Sequence, residues 1–227
     1  MEFDFPALTA RARYNLLIGL IAPRPIALVT SLDLRGRLNA APYSAFNYVG
    51  TDPALVVLGV GNRPEDPEAD DGGPPRAKDT ALNIRARGEF VVHVVSEEIA
   101  DKMNLCATDF PRGESEVAAA GFTTVPATRV AVPRLAEAPA CMECVEVQTF
   151  ERGRSRVVVG EVVYAHVRDE FIDPKGPYVL SEAMHAIGRM NGLGAYVRTR
   201  GAFFQVPRIP YAEWKKRTGP ADVSHPG

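Results

Sequence analysis

The hydrophobic positions of this chain fall mostly into short runs that are typical of strands. Apolar segments lie at 24–32, 38–49, 54–61 and 89–96; the first is rich in β-branched residues and the second is irregular. The segment 38–49 contains Pro42, which has no N–H to donate to a neighbouring strand, and so predicts an edge strand or a bulge. The run ALVVLGVG at 54–61 lacks polar alternation and predicts a strand buried on both faces.

Further along, two longer strand patterns are joined by a turn. Residues 142–169 carry strand patterns on both sides of the Gly-containing turn Glu151–Arg154, which predicts a β-hairpin. Short helical patterns separate the strands, at Asp79–Arg87, Glu98–Cys106 and Glu114–Ala120. Gly121 follows the last of these and predicts the end of that helix. Many strands with few helices favour an antiparallel barrel over a doubly wound sheet.

The chain shows no internal repeat and no second block of distinct composition, which favours a single domain. We expect a barrel domain over residues 1–200 and a C-terminal extension over residues 201–227. The extension is expected to be partly disordered, because its last residues, GPADVSHPG, are small and polar. The segment Gly61–Ala77, rich in Pro, Gly and acidic residues, predicts a mobile surface loop.

Composition and charge narrow the classes of function. Of 227 residues, 46% are apolar and 24% are charged, as in ordinary globular domains. The net charge of -2 gives no support for binding to nucleic acid. No apolar run approaches the roughly 20 residues that span a bilayer, and the N-terminus lacks a secretory signal pattern. These features predict a cytoplasmic protein that does not bind membranes.

The cysteine and histidine positions favour neither a disulfide framework nor a metal site. Cys141 and Cys144 form a C-x-x-C pair, but no second pair of ligands follows at the spacing of a zinc site. Because this pair opens a strand pattern rather than a helix, we interpret both thiols as small buried side chains. His93 alternates within a strand and is interpreted as a core or interface histidine.

The tripeptide KDT, Lys78–Thr80, opens the first helical pattern directly after the acidic loop, and two interpretations of it are open. Asp79 or Thr80 can be the N-cap of the helix, with Lys78 in solvent. Alternatively, the free N–H groups of a helix N-terminus and an adjacent lysine form a seat for a phosphate group. The sequence contains no G-x-G-x-x-G, Walker A, G-x-S-x-G or H-E-x-x-H motif.

Other small polar groups lie at strand ends and loop starts, at Thr30, Ser31, Ser44, Asn47 and Asn83. With their surroundings they make the sequence resemble the flavin reductase-like, FMN-binding split-barrel family, and its flavoredoxin-like branch in particular. The matching segments are APRPIALVTSLDLRGRLNAAPYSAFNYVGTDPALVVLGV, KDTALNIRARGEFVVHVVS, AGFT, ECVEV and HAIGRMNGLGAYVRT. The resemblance covers roughly residues 17–199.

This resemblance implies a mainly β fold with short helices, a six-stranded antiparallel Greek-key split barrel that forms a homodimer. It also implies one FMN per subunit near the dimer interface, and neither a catalytic side chain nor a metal. The implied cofactor-binding residues are Thr30, Ser31, Ser44, Ala45, Phe46, Asn47, Lys78, Asp79, Thr80, Asn83 and Arg189. Lys78 and Thr80 would meet the phosphate of FMN. Asp79 would cap the helix or accept from the ribityl hydroxyls, because a carboxylate repels a phosphate.

Two features depart from the family pattern: His93, where Asn is more usual, and the enlarged acidic loop before Lys78. The implied function is an NAD(P)H-dependent flavin reductase, which could supply reduced flavin to a partner monooxygenase. An FMN-binding electron carrier or storage protein is one alternative, separated by the absence of NAD(P)H consumption. A flavin-free barrel that serves as an interaction module is another. The choice between NADH and NADPH stays open, because no arginine is clearly placed for a 2′-phosphate.

Overall fold

A computed structural model of the protein describes residues 1–62, 77–111, 114–192, 194–201 and 203–217. Most of the predicted mobile loop at 61–77 and the last residues of the C-terminal extension lie outside these ranges. The strands are β1 Ala27–Leu32, β2 Leu38–Tyr43, β3 Phe46–Thr51, β4 Ala54–Gly59, β5 Glu89–Val94, β6 Thr124–Val125, β7 Arg134–Leu135, β8 Ala140–Arg152, β9 Ser155–Val167, β10 Ile187–Arg189 and β11 Tyr196–Arg198. The helices are α1 Ala10–Leu20, α2 Asp79–Arg87, α3 Ala100–Leu105, α4 Glu116–Ala119 and α5 Tyr211–Arg217. None of these helices is long and apolar enough to cross a bilayer.

Seven strands form one antiparallel sheet in the order β2-β1-β5-β8-β9-β4-β3. The two edge strands, β2 and β3, are joined by only Ser44 and Ala45, so the sheet rolls until its edges meet. Among the described strands no ladder joins β2 to β3, and the roll is therefore open along this line. The predicted mainly β, single-domain fold is confirmed, but the main sheet has seven strands instead of the predicted six. The reason is that segment 38–49 breaks at Ser44–Ala45 into two strands; Pro42 lies in edge strand β2, as predicted.

Alternation along β1 separates two cores. Ala27 and Val29 belong to the core inside the roll, where they pack with Phe90 of β5 and Ile84 of α2. Leu28, between them, belongs to the core on the outer face, which α3 and α4 cover. Burying an isoleucine fully is worth about 1.5–3 kcal/mol relative to leaving it exposed. Ile84, which has no exposed surface, is therefore a main anchor of α2.

The long hairpin is confirmed, since β8 and β9 pair from Ala140↔Val167 to Arg152↔Ser155 around a left-handed Gly153. The prediction that β4 is buried on both faces is wrong. Only Val56 and Leu58 of β4 are buried, because its other side faces outward with β3 and β9. The helix prediction at Asp79–Arg87 is confirmed, and Gly88 ends that helix in the left-handed conformation.

His93 is a core residue, as predicted, and joins three strands. Its Nδ1 donates to the carbonyl of Leu28 in β1, and its Nε2 accepts from the N–H of Leu135 in β7, both at 2.9 Å. One neutral tautomer satisfies both contacts, and burial lowers the pKa of His93 to about 4. Cys141 and Cys144 are buried as predicted, and burial raises the pKa values of their thiols to about 11 and about 12.

Candidate functional site

The N-terminus of α2 opens beside edge strand β2. Lys78 has an extended backbone, with ψ of 153°, and is the N-cap of the helix. Because the N-cap residue is Lys78, the interpretation of Asp79 or Thr80 as the N-cap is wrong. Asp79 instead lies in the first turn, where a carboxylate interacts favourably with the positive end of the helix dipole. The Lys78 side chain supplies no acceptor to the first-turn N–H groups of α2.

Two amide side chains hold α2 against β1 and β2. Asn39 of β2 donates from Nδ2 to Oγ1 of Thr80 at 3.0 Å, and Asn83 donates from Nδ2 to Oγ of Ser31 at 3.1 Å. All four side chains are buried. Each hydroxyl oxygen acts as an acceptor in these contacts, which leaves its hydrogen free to donate elsewhere.

A pocket of about 80 Å³ lies between the start of α2, strand β2 and the segment after α3. Its volume is on the scale of a phosphate group rather than of a flavin ring. Lys78, Thr80 and Tyr43 are among the residues that line it. The Tyr43 hydroxyl is buried, and it makes no hydrogen bond among the residues that the structure describes. Burial raises the pKa of Tyr43, so this phenol stays protonated and can donate a hydrogen bond.

Carboxylates also line this pocket and restrict where an anion can sit. Glu116 is buried, and its Oε2 accepts from the N–H of Ala40 at 3.1 Å, which compensates part of its charge. Asp79 and Asp109 line the wall as well. Both Glu116 and Asp79 are near enough to Tyr43 to raise its pKa, so the pocket mixes donors with carboxylates.

A second group of predicted residues lies at the turn where the edges of the sheet meet. The Arg24 guanidinium donates from Nη1 to the carbonyls of Ile18 and Ile21, at 2.6 and 2.7 Å, and from Nη2 to the carbonyl of Met190 at 2.6 Å. Its Nε donates to Oγ of Ser44 at 3.3 Å. Arg24 thus ties the end of α1, the segment after β10 and the β2–β3 turn together.

Strand β4 also fixes the position of the β2–β3 turn. The N–H of Gly59 donates to the carbonyl of Ala45 at 2.7 Å. A Cβ atom at position 59 would lie 2.7 Å from Cβ of Ala45, which is closer than real Cβ contacts allow. Glycine at this position therefore permits the close approach that fixes Ala45 and its neighbours.

The structure brings most of the predicted site residues into these two groups. Ser31, Lys78, Asp79, Thr80 and Asn83 meet at α2. The turn Ser44–Ala45, which Phe46 follows, is linked to Arg189 through Arg24, whose backbone pairs with that of Arg189 at 2.8 Å in both directions.

Two predicted residues stand apart from these groups. Thr30 lies on the opposite face of β1 from Ser31 and donates to the carbonyl of Pro133 at 2.9 Å. The exposed Asn47 accepts from the N–H of Tyr48 at 2.9 Å.

Sequence reasoning missed Arg24, Asn39 and Tyr43. Arg24 has a visible signal, because a charged residue between two prolines directly precedes a buried strand. Asn39 could have been found from the alternation of β2, which puts a polar residue on a face shared with Tyr43. Tyr43 itself carries no sequence signal, since a tyrosine at the end of an apolar strand is common in any core.

The fold agrees with comparisons to known proteins. An uncharacterized protein of Deinococcus radiodurans is 44% identical over 221 residues, which are 95% of this chain and 93% of that protein. The structure is similar to that of 2-nitrobenzoate 2-nitroreductase from Pseudomonas fluorescens, with 38% identity and a TM-score of 0.78 over 93% of this chain and 100% of that chain. Nitrilotriacetate monooxygenase component B from Bacillus cereus gives 31% identity and a TM-score of 0.80 over 91% and 98% of the two chains.

The fold and these relatives define a mainly β, flavin reductase-like protein of the split-barrel class. Residues 20–188 match the flavin reductase like domain, and the chain belongs to this family, as the sequence resemblance predicts.

Proposed function

We propose that this protein is an FMN-binding oxidoreductase that transfers a hydride from NADH or NADPH to FMN. The observation that carries the proposal is Tyr43, which lines a phosphate-sized pocket beside the N-terminus of α2 and whose buried hydroxyl has no hydrogen-bond partner among the described residues. Such a group is costly when nothing binds it, and its cost is recovered when an acceptor arrives. The oxidoreductase class itself follows from the family.

The residues at α2 fit the phosphate end of FMN. Lys78 supplies a cation, and the first-turn N–H groups supply the positive end of the helix dipole. Tyr43 and Thr80 supply neutral donors, because the Thr80 oxygen already accepts from Asn39. Asp79 faces this donor set from the first turn and suits a ribityl hydroxyl better than the phosphate.

The ring end is assigned to the β2–β3 turn and the start of β3, residues Ser44–Asn47. Bound FMN would supply the chemistry of accepting a hydride and passing electrons onward. Backbone N–H groups of the turn can stabilise the negative charge that develops at the pyrimidine edge on reduction. Arg24 orients Ser44 for this task, and Gly59 holds Ala45 in place. No side chain of the protein is required to take or give the transferred hydrogen.

The partner assignments are a homodimer and an acceptor of reduced flavin. Four apolar side chains of β3 and β8 are more than half exposed: Tyr48, Val49, Val147 and Phe150. An uncovered apolar area of this kind favours association with a second subunit. Similarity to a monooxygenase component supports delivery of reduced flavin to a monooxygenase, and similarity to a nitroreductase supports a nitroaromatic acceptor.

The proposal is tested by titrating the protein with FMN and with riboflavin, which lacks the phosphate, while following flavin fluorescence. FMN is expected to bind much more tightly than riboflavin, and the protein with FMN is expected to oxidise NADH or NADPH. Binding of FMN without nicotinamide oxidation would indicate an electron carrier instead. Equal affinity for FMN and riboflavin would remove the α2 pocket from the site.

A further inference from the structure

A polar cleft lies at the end of the long hairpin where β8 begins and β9 ends, against the segment around β7. Its volume is about 330 Å³, within the roughly 300–1,000 Å³ that is typical of ligand sites. The described residues that line it include none from the α2 pocket and none from the β2–β3 turn. They also include no Asp or Glu, whereas three acidic residues line the α2 pocket. This hairpin cleft therefore differs from the α2 pocket in charge as well as in place.

Two arginines give the hairpin cleft its charge. Arg134 of β7 donates from Nε to the carbonyl of Pro126 at 3.0 Å. Arg168, directly after β9, donates from Nη2 to the carbonyls of Ala136 and Glu137 at 3.1 and 2.9 Å. Among the residues that the structure describes, neither Nη group of Arg134 has a hydrogen-bond partner, and neither do Nη1 and Nε of Arg168. Backbone carbonyls thus position both guanidinium groups and leave several of their N–H groups for a ligand.

The carboxylate next to the cleft, Glu143, is already satisfied. It is fully buried, and its oxygens accept from the N–H groups of Thr128, Arg129 and Val130 and from Nε2 of His166. Burial raises the pKa of Glu143, but these hydrogen bonds outweigh burial and hold the pKa below its usual range. Glu143 is therefore ionised, and four donors compensate its charge, so it does not neutralise the arginines of the cleft.

The remaining walls are aromatic or apolar. The His166 ring, which Glu143 holds through Nε2, lies with its centroid 4.9 Å from that of the exposed Tyr164 ring. Small apolar residues also line the cleft, at Ala136, Ala138 and Pro139. Aromatic rings pack favourably against other rings, and the guanidinium fork matches the two oxygens of a carboxylate. A flat apolar molecule that carries one carboxylate matches both features.

We propose that the hairpin cleft binds a small aromatic carboxylate. The carboxylate accepts from the remaining N–H groups of Arg134 and Arg168, and the aromatic ring packs against Tyr164 and His166. An inorganic anion would satisfy the arginines but would leave the aromatic and apolar walls unused. Because the cleft shares none of its described lining residues with the proposed flavin site, it is a second site and not the place where an electron acceptor meets the flavin. The proposal does not rest on the proposed function.

Benzoate is the probe, and its binding to the full-length protein without flavin is measured by calorimetry. A Kd on the order of 1 mM is expected, which is ordinary for a ligand of this size. Arg168→Gln removes one guanidinium, and Arg134→Lys keeps the charge but removes the fork, so each should weaken benzoate about tenfold. Tyr164→Ala removes a ring of the wall and should weaken benzoate about fivefold, whereas Tyr164→Phe keeps the ring and should bind as the wild type does.

Arg152→Gln is the matched control for the loss of one arginine. Arg152 is exposed at the other end of the same hairpin, so this variant should bind benzoate with the wild-type affinity. Thermal unfolding shows which variants are folded. Tyr164 is exposed, and Tyr164→Ala therefore keeps the test decisive if loss of the carbonyl contacts prevents Arg168→Gln from folding.

The same titration is repeated with saturating FMN and with inorganic phosphate in place of benzoate. We expect FMN to leave the affinity for benzoate unchanged and phosphate to bind more weakly than benzoate. The proposal is overturned if the wild type does not bind benzoate at about 10 mM, or if the folded cleft variants bind it as tightly as the wild type. It is also overturned if FMN displaces benzoate or if phosphate binds as tightly. A protein that binds benzoate in this cleft but does not bind FMN would contradict the proposed function alone.

Discussion

Replacing Tyr43 by Phe is predicted to change stability and FMN affinity in opposite directions. In the free protein the Tyr43 hydroxyl is buried without a partner among the described residues. The Thr80 hydroxyl is near enough to influence the pKa of Tyr43, but it does not reach hydrogen-bond geometry. An unsatisfied buried group costs about 1–3 kcal/mol. Tyr43→Phe should therefore stabilise the flavin-free protein by about 1 kcal/mol, or about 2–4 °C in Tm for a domain of this size.

The same substitution removes a donor to the phosphate of FMN. A hydrogen bond to a charged group is worth about 1.5–3 kcal/mol. Taking about 2 kcal/mol and about 1.4 kcal/mol per decade, Tyr43→Phe should weaken FMN about 30-fold. The affinity for riboflavin, which lacks the phosphate, should stay the same.

Thermal unfolding with and without FMN measures both effects in one experiment. The variant should unfold at a higher temperature than the wild type without FMN, and it should gain less from added FMN. Tyr14→Phe is the control, because Tyr14 is 54% exposed on α1 and should change neither quantity. A Tyr43→Phe protein that is less stable without FMN would mean that the hydroxyl already has a partner. Unchanged FMN affinity would refute its role in the site.

Three further predictions concern single side chains. Lys78→Ala should weaken the binding of FMN about 30-fold, because its charge-assisted contact is worth about 2 kcal/mol, and Lys78→Arg should keep most of the wild-type affinity. Fluorescence titration measures both variants. If Lys78→Ala binds FMN as tightly as the wild type, Lys78 is excluded from the site. Arg24→Ala leaves three carbonyls without their donor, so it should lower the free energy of unfolding by about 1–3 kcal/mol and weaken the binding of FMN. Ser44→Ala should leave the free energy of unfolding nearly unchanged. Denaturant titration compares the two variants, and similar losses in both would contradict the account of Arg24. For His93, the folded pKa of about 4 lies below the ordinary 6.5, so its stabilising contribution is complete above pH 6.5 and is lost as the pH falls towards 4. The loss should reach about 3 kcal/mol in the wild type and should be absent in His93→Gln. If the free energy of unfolding of the wild type falls no faster than that of His93→Gln between pH 6.5 and 4, the role given to neutral His93 is contradicted.

Local patterns along the chain predict the elements well where neighbours in sequence decide them. The bounds of α2 follow from the KDT start and from Gly88, and the hairpin follows from the turn at Gly153. Where distant chain segments decide, the patterns are insufficient. Ser44 and Ala45 end a strand because the two sheet edges meet there, and segment 38–49 contains no residue type that reveals this.

In the candidate site, too, features decided by sequence neighbours could be predicted and those decided by distant segments could not. Strand alternation alone places Thr30 and Ser31 on opposite faces of β1. The family resemblance, by contrast, implies the same cofactor-binding role for both. The N-cap of α2 could not be predicted, because the Thr80 hydroxyl is held by Asn39 from another strand. The partners of Arg24 could not be predicted for a similar reason, since three of them are backbone carbonyls, one of them that of the distant Met190, and the fourth is Ser44 of the β2–β3 turn.

Anaerobic reduction of FMN by a nicotinamide nucleotide tests the central claim most directly. FMN and a catalytic amount of the protein are mixed with NADH and, separately, with NADPH, and the loss of the visible absorption of oxidised flavin is followed. The account predicts reduction with at least one nucleotide, at a rate proportional to protein concentration and strongly lowered in Tyr43→Phe at subsaturating FMN. FMN that binds to the protein but is reduced by neither nucleotide would contradict a flavin reductase.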